Sequence, residues 1–313
     1  MEVEAKIREK AKELLESKAV DVVIGFEKGT LPLRSTPAFI RDSSETDRLV
    51  WNSFCENNLA TYLNKLKGQK VAIVAKGCDS RSVVALAVER QIKREDVFVI
   101  GVPCRGMLDR RRIEEAVGFE ILSALESDGK LVVKSVDSER TLDREDFLFP
   151  SCRSCRHRNP VIYDFLAGEE VEESEADEFE LVREFESKPP EERWEYFKKA
   201  FEDCLRCYAC REACPFCYCE ECFVDSSRPK WIEKGLDETD VQIWHIVRAY
   251  HHAGRCVDCG ACERACPMGI DLRFLTQKLN KDVKELFGFE TGLDPSVQPP
   301  LSTFSLQDPD DFK

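Results

Sequence analysis

The sequence lacks any long apolar segment. No run of apolar residues approaches the roughly 18 that a membrane-spanning helix requires, and residues 1–18 are charged and amphipathic. Such a beginning has no apolar centre of the kind found in secretory signals. We therefore expect a cytoplasmic protein with no membrane span.

Basic residues are too few to balance the acidic ones. The chain has 46 Lys and Arg against 60 Asp and Glu, which gives a formal net charge of -14. Nucleic-acid binding depends on basic contacts to phosphate, and anionic membrane surfaces attract basic segments. We therefore exclude both as partners and expect protein partners within a soluble redox complex.

A third absence concerns nucleotide cofactors. The Gly-x-Gly-x-x-Gly fingerprint, in which glycines let the backbone approach a pyrophosphate, follows none of the predicted strands. The sequence therefore gives no sign of a dinucleotide site of that kind.

Cysteine, in contrast, is abundant, with 16 residues. In a cytosolic chain such a number indicates metal binding and not disulfides. Half of them lie in two copies of the run C-x2-C-x2-C-x3-C-P, with which bacterial ferredoxins hold 4Fe-4S clusters. The copies comprise Cys204, Cys207, Cys210, Cys214 and Pro215, and then Cys256, Cys259, Cys262, Cys266 and Pro267.

The fourth cysteine of each run ligates the other cluster in two-cluster ferredoxins. We therefore predict two crossed sets of ligands. The first set is Cys204, Cys207, Cys210 and Cys266, and the second set is Cys256, Cys259, Cys262 and Cys214. Zinc fits poorly, because its structural sites use paired ligands separated by a longer stretch.

Residues 1–168 predict an α/β domain with a partly parallel sheet. Apolar periodicity predicts helices over 3–17, 46–66 and 80–92, and strands over 70–77, 97–103, 119–123 and 130–135. Residues 21–26 form a further short apolar run. The succession of strand, helix and strand across 70–103 is a βαβ unit, which makes the two strands parallel.

The remainder predicts a mainly α-helical dicluster ferredoxin domain over 190–290. Its helices are expected over 190–203, 239–254 and 272–286. Residues 169–189 are expected to be an acidic, solvated linker, because like charges repel and there is little to bury. Residues 291–313 contain four prolines and predict an extended tail.

Four further cysteines predict a third cluster. Cys78 and Cys104 each follow a predicted parallel strand, and the carboxyl ends of such strands lie side by side. With the C-x2-C pair of Cys152 and Cys155 they supply four ligands for a 4Fe-4S site. Buried structural cysteines, a redox dithiol and a zinc site that uses His157 are the alternatives.

The last four cysteines leave a fourth metal centre open. Cys217, Cys219 and Cys222 lie close together just after the first run, and Cys55 lies alone in the predicted 46–66 helix. Dense cysteine clusters usually bind metal. The alternative is that these residues only line the cluster region.

Three segments of the α/β region form a recognisable set. They are Lys76-Gly-Cys78-Asp-Ser-Arg81, Val102-Pro-Cys104-Arg-Gly106, and Cys152-x2-Cys155 with Asn159-Pro160 and Asp164-Phe-Leu-Ala-Gly168. These segments resemble the coenzyme F420 hydrogenase/dehydrogenase beta-subunit family, which includes formate dehydrogenase beta subunits. The C-terminal half resembles the helical dicluster modules of heterodisulfide-reductase and succinate-dehydrogenase iron–sulfur subunits. Together these resemblances cover about residues 70–285.

The resemblance implies an electron-relay subunit of an anaerobic oxidoreductase, such as a hydrogenase, a formate dehydrogenase or a heterodisulfide-reductase-like complex. Family members carry a 4Fe-4S cluster beside FAD, which also supports the third cluster. A flavin subunit that exchanges hydride with a deazaflavin or nicotinamide coenzyme is the second hypothesis, and a zinc-rich scaffold is the third. If flavin binds, the loops at Lys28-Gly29 and Lys76-Gly77 are candidates, since strand-to-helix turns present N–H groups to phosphate; ordinary turns are the alternative.

Overall fold

The computed structural model describes residues 2–118, 120–304 and 306–307. The chain divides into two compact units. Unit 1 comprises Met1–Ser80 and Ile92–Ala176, and unit 2 comprises Arg81–Gln91 and Asp177–Lys313. Among the described residues, no helix combines the length and apolar character that a bilayer crossing requires.

Unit 1 is built on a five-stranded sheet with the strand order β2-β1-β3-β4-β8. Strands β1, β3, β4 and β8 run parallel, and β2 pairs antiparallel with β1 at one edge. The predicted parallel pair is confirmed, with Ile73 opposite Val99. The strands are β1 Val22–Lys28, β2 Ser35–Ile40, β3 Val71–Ala75, β4 Val97–Gly101 and β8 Phe165–Leu166.

A second, antiparallel sheet lies in the same unit. Strands β5 Ile121–Ser127, β6 Lys130–Ser135 and β7 Glu139–Asp143 form it in sequence order. One face packs on its own small core, which includes Leu131, Val133 and Ile113. The two strands predicted here are confirmed, except that residue 119 lies outside the described residues.

Several helices accompany these sheets. The helix predicted over 3–17 is confirmed as α1, and the one predicted over 80–92 begins earlier, as α2. The short helices α3 and α4 follow β4 and β7. Their bounds are α1 Glu2–Glu16, α2 Gly77–Val88, α3 Arg110–Val117 and α4 Pro150–Arg153.

The helix predicted over 46–66 is wrong. The chain forms two 3-10 segments there, Ser43–Arg48 and Leu59–Leu66. Asparagine side chains explain the break, since Asn52 Oδ1 accepts from Phe54 N at 2.9 Å and Asn58 Oδ1 accepts from Ala60 N at 3.1 Å. Such local bonds give the backbone an alternative to helix.

Unit 2 is helical, as predicted. Its core collects buried side chains from several helices, among them Phe201, Trp244 and Ile270. The bounds are α5 Glu180–Glu186, α6 Pro190–Phe201, α7 Ala209–Glu212, α8 Glu238–His251, α9 Ala261–Arg264 and α10 Arg273–Phe287.

The acidic segment 169–189 is more ordered than a solvated linker. The Asn159 side chain bonds both the N–H and the C=O of Val171, and the Glu173 carboxylate accepts from Arg158 N and Asn159 N. Its second part forms α5, whose Val182 is buried. The predicted domain boundaries themselves stay a prediction.

The first part of the C-terminal tail is also held in place. Arg81 donates twice to Thr291 O, at 2.9 and 2.8 Å, and Gly292 has φ 75° with its Cα against the Arg81 carbonyl. A side chain at residue 292 would collide with that carbonyl. Residues 305 and 308–313 of the predicted tail lie outside the described residues.

Candidate metal centres

The two cysteine runs adopt the same local fold. In each run the residue before the short helix is left-handed, Tyr208 with φ 61° and Gly260 with φ 69°. In each, the N–H two residues after the first cysteine points at its sulfur, from Arg206 to Cys204 at 3.4 Å and from Asp258 to Cys256 at 3.3 Å. N–H groups aimed at sulfur are a feature of iron–sulfur loops.

The first predicted set of thiols lies together. Burial raises the pKa of Cys204, and the thiols of Cys266 and Cys207 act in the same direction. Burial also raises the pKa of Cys210 to about 12, with contributions from Cys262 of the second set and then from Cys204 and Cys266 of the first. The cysteine from the second run is therefore close to those of the first.

The second predicted set shows the reciprocal pattern. Burial raises the pKa of Cys256, and Asp258, Cys259, Cys262 and Cys214 add to it. Burial likewise raises the pKa of Cys259 to about 11, and Cys214 contributes there too. Buried thiols without iron favour the neutral form, whereas a coordinated metal deprotonates them. Both crossed sets fit 4Fe-4S clusters by donor type and proximity.

Helix α8 places two histidines against these cysteines. His245 Nε2 lies 3.2 Å from Cys204 Sγ, and burial, followed by the charges of Arg248 and Arg206, lowers the pKa of His245 to about 3. His252, which follows the helix, has Nε2 3.3 Å from Cys214 Sγ. A neutral His245 can bond a Cys204 thiolate only if its Nε2 carries the proton. His252 differs, because its Nδ1 donates to the carbonyl of Arg248 at 2.6 Å.

Cys217 joins the group around His252. Its Sγ lies 3.4 Å from His252 Nε2, and Cys214, Cys217 and His252 could together hold a metal ion. The hydrogen bond between the two thiols lowers the pKa of Cys214 and raises that of Cys217.

The four cysteines predicted for a third cluster also come together, in unit 1. Cys78 lies in the first turn of α2, Cys104 follows β4, and Cys152 lies in α4 just before Cys155. Burial raises the pKa of Cys104 to about 12, and Cys152 and Cys155 contribute. Cys78 and Cys104 both raise the pKa of Lys76, so both thiols lie near that side chain.

Backbone N–H groups also point at this third site. Gly106 N donates to Cys104 Sγ and Met107 N to Cys152 Sγ, both at 3.3 Å. Cys155 Sγ lies 3.5 Å from the carbonyl oxygen of His157. These sulfur contacts fit an iron–sulfur cluster, and a zinc site that uses the His157 ring stays the alternative.

Lys76 is a fully buried cation beside the third site. Its Nζ lies 2.9 Å from Asp79 Oδ2 and donates to the carbonyls of Cys55 and Asn57, at 3.1 and 2.8 Å. Burial opposes its charge, but Asp79 and the nearby thiols outweigh that and raise the pKa of Lys76. It therefore stays charged.

The two loops considered for flavin have different surroundings, and flavin binding there stays a prediction. The Asp79 carboxylate already accepts from Lys76 N and Leu59 N, both at 2.9 Å, and the carbonyl of His157 packs against Gly77. The loop at Lys28-Gly29 joins β1 to the antiparallel β2 and not to a helix. The expectation of a strand-to-helix turn there is wrong.

Comparison with known proteins identifies part of the chain. Residues 200–270 match the family described as 4Fe-4S dicluster domain. This region is a 4Fe-4S dicluster domain. The chain therefore carries an iron–sulfur electron-transfer module, as its cysteine runs predict.

The similarity to two named relatives extends over both units. The chain is 26% identical to the F420-dependent formate dehydrogenase subunit beta of Methanocaldococcus jannaschii, over 92% of this chain and 91% of the relative. It is 23% identical to the F420-dependent formate dehydrogenase 1 subunit beta of Methanococcus maripaludis, over 93% and 91%. The resemblance predicted from the sequence is confirmed.

One solved structure also has local similarity. A chain from the F420-reducing [NiFe] hydrogenase complex of Methanosarcina barkeri aligns with a TM-score of 0.39 and 16% identity. The alignment covers 49% of this chain and 59% of that chain.

The four remaining cysteines have different surroundings. Within the dicluster domain, Cys217 contacts Cys214 and His252, Cys222 packs against the core, and Cys219 is exposed. Cys55 is buried in unit 1, where Asn52 N points at its sulfur at 3.4 Å and burial raises its pKa to about 11. The surroundings of Cys55 are those of a small buried side chain. A fourth centre stays a prediction.

Three residues beside the dicluster cysteines were not predicted: His245, Arg248 and His252. His245 and Arg248 lie in α8, and His252 caps its C-terminal end, so that the three residues have the spacing i, i+3 and i+7 between the two cysteine runs. That spacing puts basic side chains on one helix face, and it is the signal that could have identified them.

Proposed function

We propose that this chain is the electron-relay beta subunit of a cytoplasmic formate dehydrogenase complex. The observation that carries the proposal is its similarity to two F420-dependent formate dehydrogenase beta subunits along almost the whole chain. Both the dicluster domain and the cysteines of unit 1 lie within that similarity. The other subunits of such a complex are its partners.

The proposed relay has three 4Fe-4S clusters. The two crossed sets hold a pair of clusters in the dicluster domain, and Cys78, Cys104, Cys152 and Cys155 hold the third in unit 1. Support for each set comes from buried thiols that act on one another and from backbone N–H groups that point at sulfur. A cluster held in this way accepts or donates single electrons.

The second candidate function is a flavin-containing dehydrogenase subunit that reduces a soluble coenzyme. A cavity of about 500 Å³ opens beside Cys104 in unit 1 and favours it. The size is that of small-molecule sites. FAD bound there would convert two-electron chemistry into single-electron steps.

The cavity is lined by apolar and charged residues. Trp51 and Pro103 offer surfaces against which a planar ring could stack. Lys6 and Arg105 supply positive charge, and the carboxylates of Glu2, Glu126 and Glu169 also line the cavity. Arg144 is held by Glu126 at 2.6 Å and by the carbonyls of Arg105 and Gly106. These side chains are the ones that would hold FAD if it binds in this cavity.

A count of iron, acid-labile sulfide and released flavin in the anaerobically purified chain tests these proposals. About 8 iron atoms per chain means the dicluster pair alone, about 12 adds the third cluster, and about 16 requires a fourth, at four per cluster. We expect about 12. Zinc in place of iron at the third site would favour the His157 alternative.

A matched variant locates the third cluster. Cys104→Ala should lose about four iron atoms and retain the signals of the dicluster pair. Unchanged iron in this variant would overturn the third site. Fully metallated wild-type chain without flavin would overturn the flavin-containing alternative but not the relay.

A further inference from the structure

Helix α8 presents an unusual cation between the two crossed sets of cysteines. His245 contacts Cys204 of the first set, and His252 contacts Cys214 of the second set, at 3.2 and 3.3 Å. Arg248 lies between these histidines on the same helix face, and its Nη2 donates to Cys210 O at 3.1 Å. The guanidinium is therefore flanked by residues that contact both sets.

Arg248 is buried without a carboxylate. The residue is only 4% exposed, and within the part of the chain that the structure describes its Nε has no hydrogen-bond partner. Over the described ranges, no Asp or Glu forms an ion pair with it. The buried arginine Arg273, in contrast, is paired with Asp258 at 2.7 Å.

The nearest opposing charges for Arg248 come from thiols. Cys262, Cys214, Cys217 and Cys210 all favour its charged form, against the effect of burial. Cys210 belongs to the first crossed set, Cys262 and Cys214 belong to the second, and Cys217 belongs to neither. A buried cation without a partner costs several kcal/mol, so anionic cysteine ligands on two sides are what would compensate it.

We propose that the buried guanidinium of Arg248 stabilises the reduced form of both clusters of the dicluster domain and thereby raises both reduction potentials. This inference rests on the proposed ligation by the crossed sets. On reduction one electron enters a cluster, no bond forms or breaks, no proton moves, and the cluster gains one negative charge. A fixed positive charge nearby in a poorly hydrated site favours that state.

His245 supplies an internal comparison. It reaches only the first set, where its N–H can donate to Cys204 Sγ, and its ring stacks on Phe201 with centroids 4.0 Å apart. Hydrogen bonds to cluster sulfur also raise the potential. Loss of this bond should move one cluster, whereas loss of the Arg248 charge should move two.

The test is a redox titration of the full, metal-loaded chain followed by EPR. Arg248→Gln removes the charge but keeps a donor for Cys210 O, and Arg248→Lys keeps the charge. We expect Arg248→Gln to shift both dicluster potentials to more negative values and Arg248→Lys to shift them less. His245→Phe should shift only the cluster of the first set.

Iron and sulfide are counted in every variant, so that failure of the proposed cluster ligation can be distinguished from failure of the proposed role of Arg248. Wild-type chain with fewer than about 8 iron atoms, at four per cluster, contradicts the proposed function itself. With clusters intact, an unmoved potential at either cluster in Arg248→Gln overturns the inference. Cluster loss in Arg248→Gln but not in Arg248→Lys supports a need for the charge, and loss in both assigns Arg248 a structural role and overturns it.

Discussion

The two cysteine runs share one backbone geometry but not one electrostatic environment. Both turn through a left-handed residue into a four-residue helix, α7 or α9. At the matching position inside the loop, however, one run has Arg206 and the other has Asp258. Arg206 donates to the carbonyls of Glu233 and Gly235, whereas Asp258 receives the buried Arg273. The spacing of the cysteines specifies the loop, and the residues between them adjust each cluster separately.

The crossing of the two runs can be broken by single ligand changes, and this is the largest expected effect. Cys266→Ala should lose about four iron atoms and the same EPR signal as Cys204→Ala, because both residues are assigned to the first set. Cys214→Ala should match Cys256→Ala instead. The measurements are iron content and EPR of the reduced chain. A Cys266→Ala spectrum that matches Cys256→Ala would show that each run holds its own cluster.

The Asp258 environment of the second run should be the more sensitive to loss of one charge. Asp258→Asn removes the carboxylate that lies 2.7 Å from the buried Arg273, whereas Glu263 lies at 3.7 Å. Breaking a buried ion pair in this way costs about 3 kcal/mol. Anaerobic urea titration, read by the loss of cluster absorbance, should show it. Glu212→Gln, an exposed change in the first run, is the control, and equal midpoints for the two variants would contradict the expectation.

The left-handed residue is the next difference to test. Gly260 occupies a conformation that L-residues adopt at a cost, whereas Tyr208 occupies it with a side chain that packs edge-on to Trp244 at 5.1 Å. Gly260→Ala should lower stability by about 1 kcal/mol. Gly260→Asn should cost less, since Asn tolerates this region. The temperature at which the clusters bleach measures both; if Asn is as harmful as Ala, the backbone conformation is not the cause.

The smallest expected effect is a dependence on pH through His245. Burial holds its pKa near 3 in the folded chain, below the ordinary 6.5, so between these values only the unfolded chain takes up the proton. Stability from this group is complete above pH 6.5 and falls as the pH drops toward 3, by up to about 1.4 kcal/mol per unit. His245→Phe should reduce the loss of stability between pH 7 and 5. Parallel curves for variant and wild type would contradict this.

The sequence was sufficient where a pattern is local. The C-x2-C-x2-C-x3-C-P runs identified the dicluster domain, and the βαβ unit brought Cys78 and Cys104 to one end of the sheet because parallel strands end together. The helix predicted over 46–66 failed because its apolar spacing competes with asparagine side chains that bond the local backbone. The helix propensities of single residues do not include such bonds between a side chain and the neighbouring backbone.

What the sequence could not supply is the pairing of distant polar groups. The contact of His245 with Cys204 spans 41 positions, and that of His252 with Cys214 spans 38. The edge strand Ser35–Ile40 was missed because Pro37 and polar residues interrupt its alternation. The packing of helices decides the first two cases and tertiary pairing the third.

The division of the chain within helix α2 has a consequence for any attempt to isolate the relay. Residues 81–91 belong to the same unit as the dicluster domain, although residues 92–176 of unit 1 separate them from the rest of that unit in sequence. A fragment that begins at residue 177 would leave Arg255 without Glu89, its partner at 2.5 Å, and the carbonyl of Thr291 without Arg81. The dicluster unit is therefore not continuous in sequence. A fusion that transfers it to another protein must also include residues 81–91.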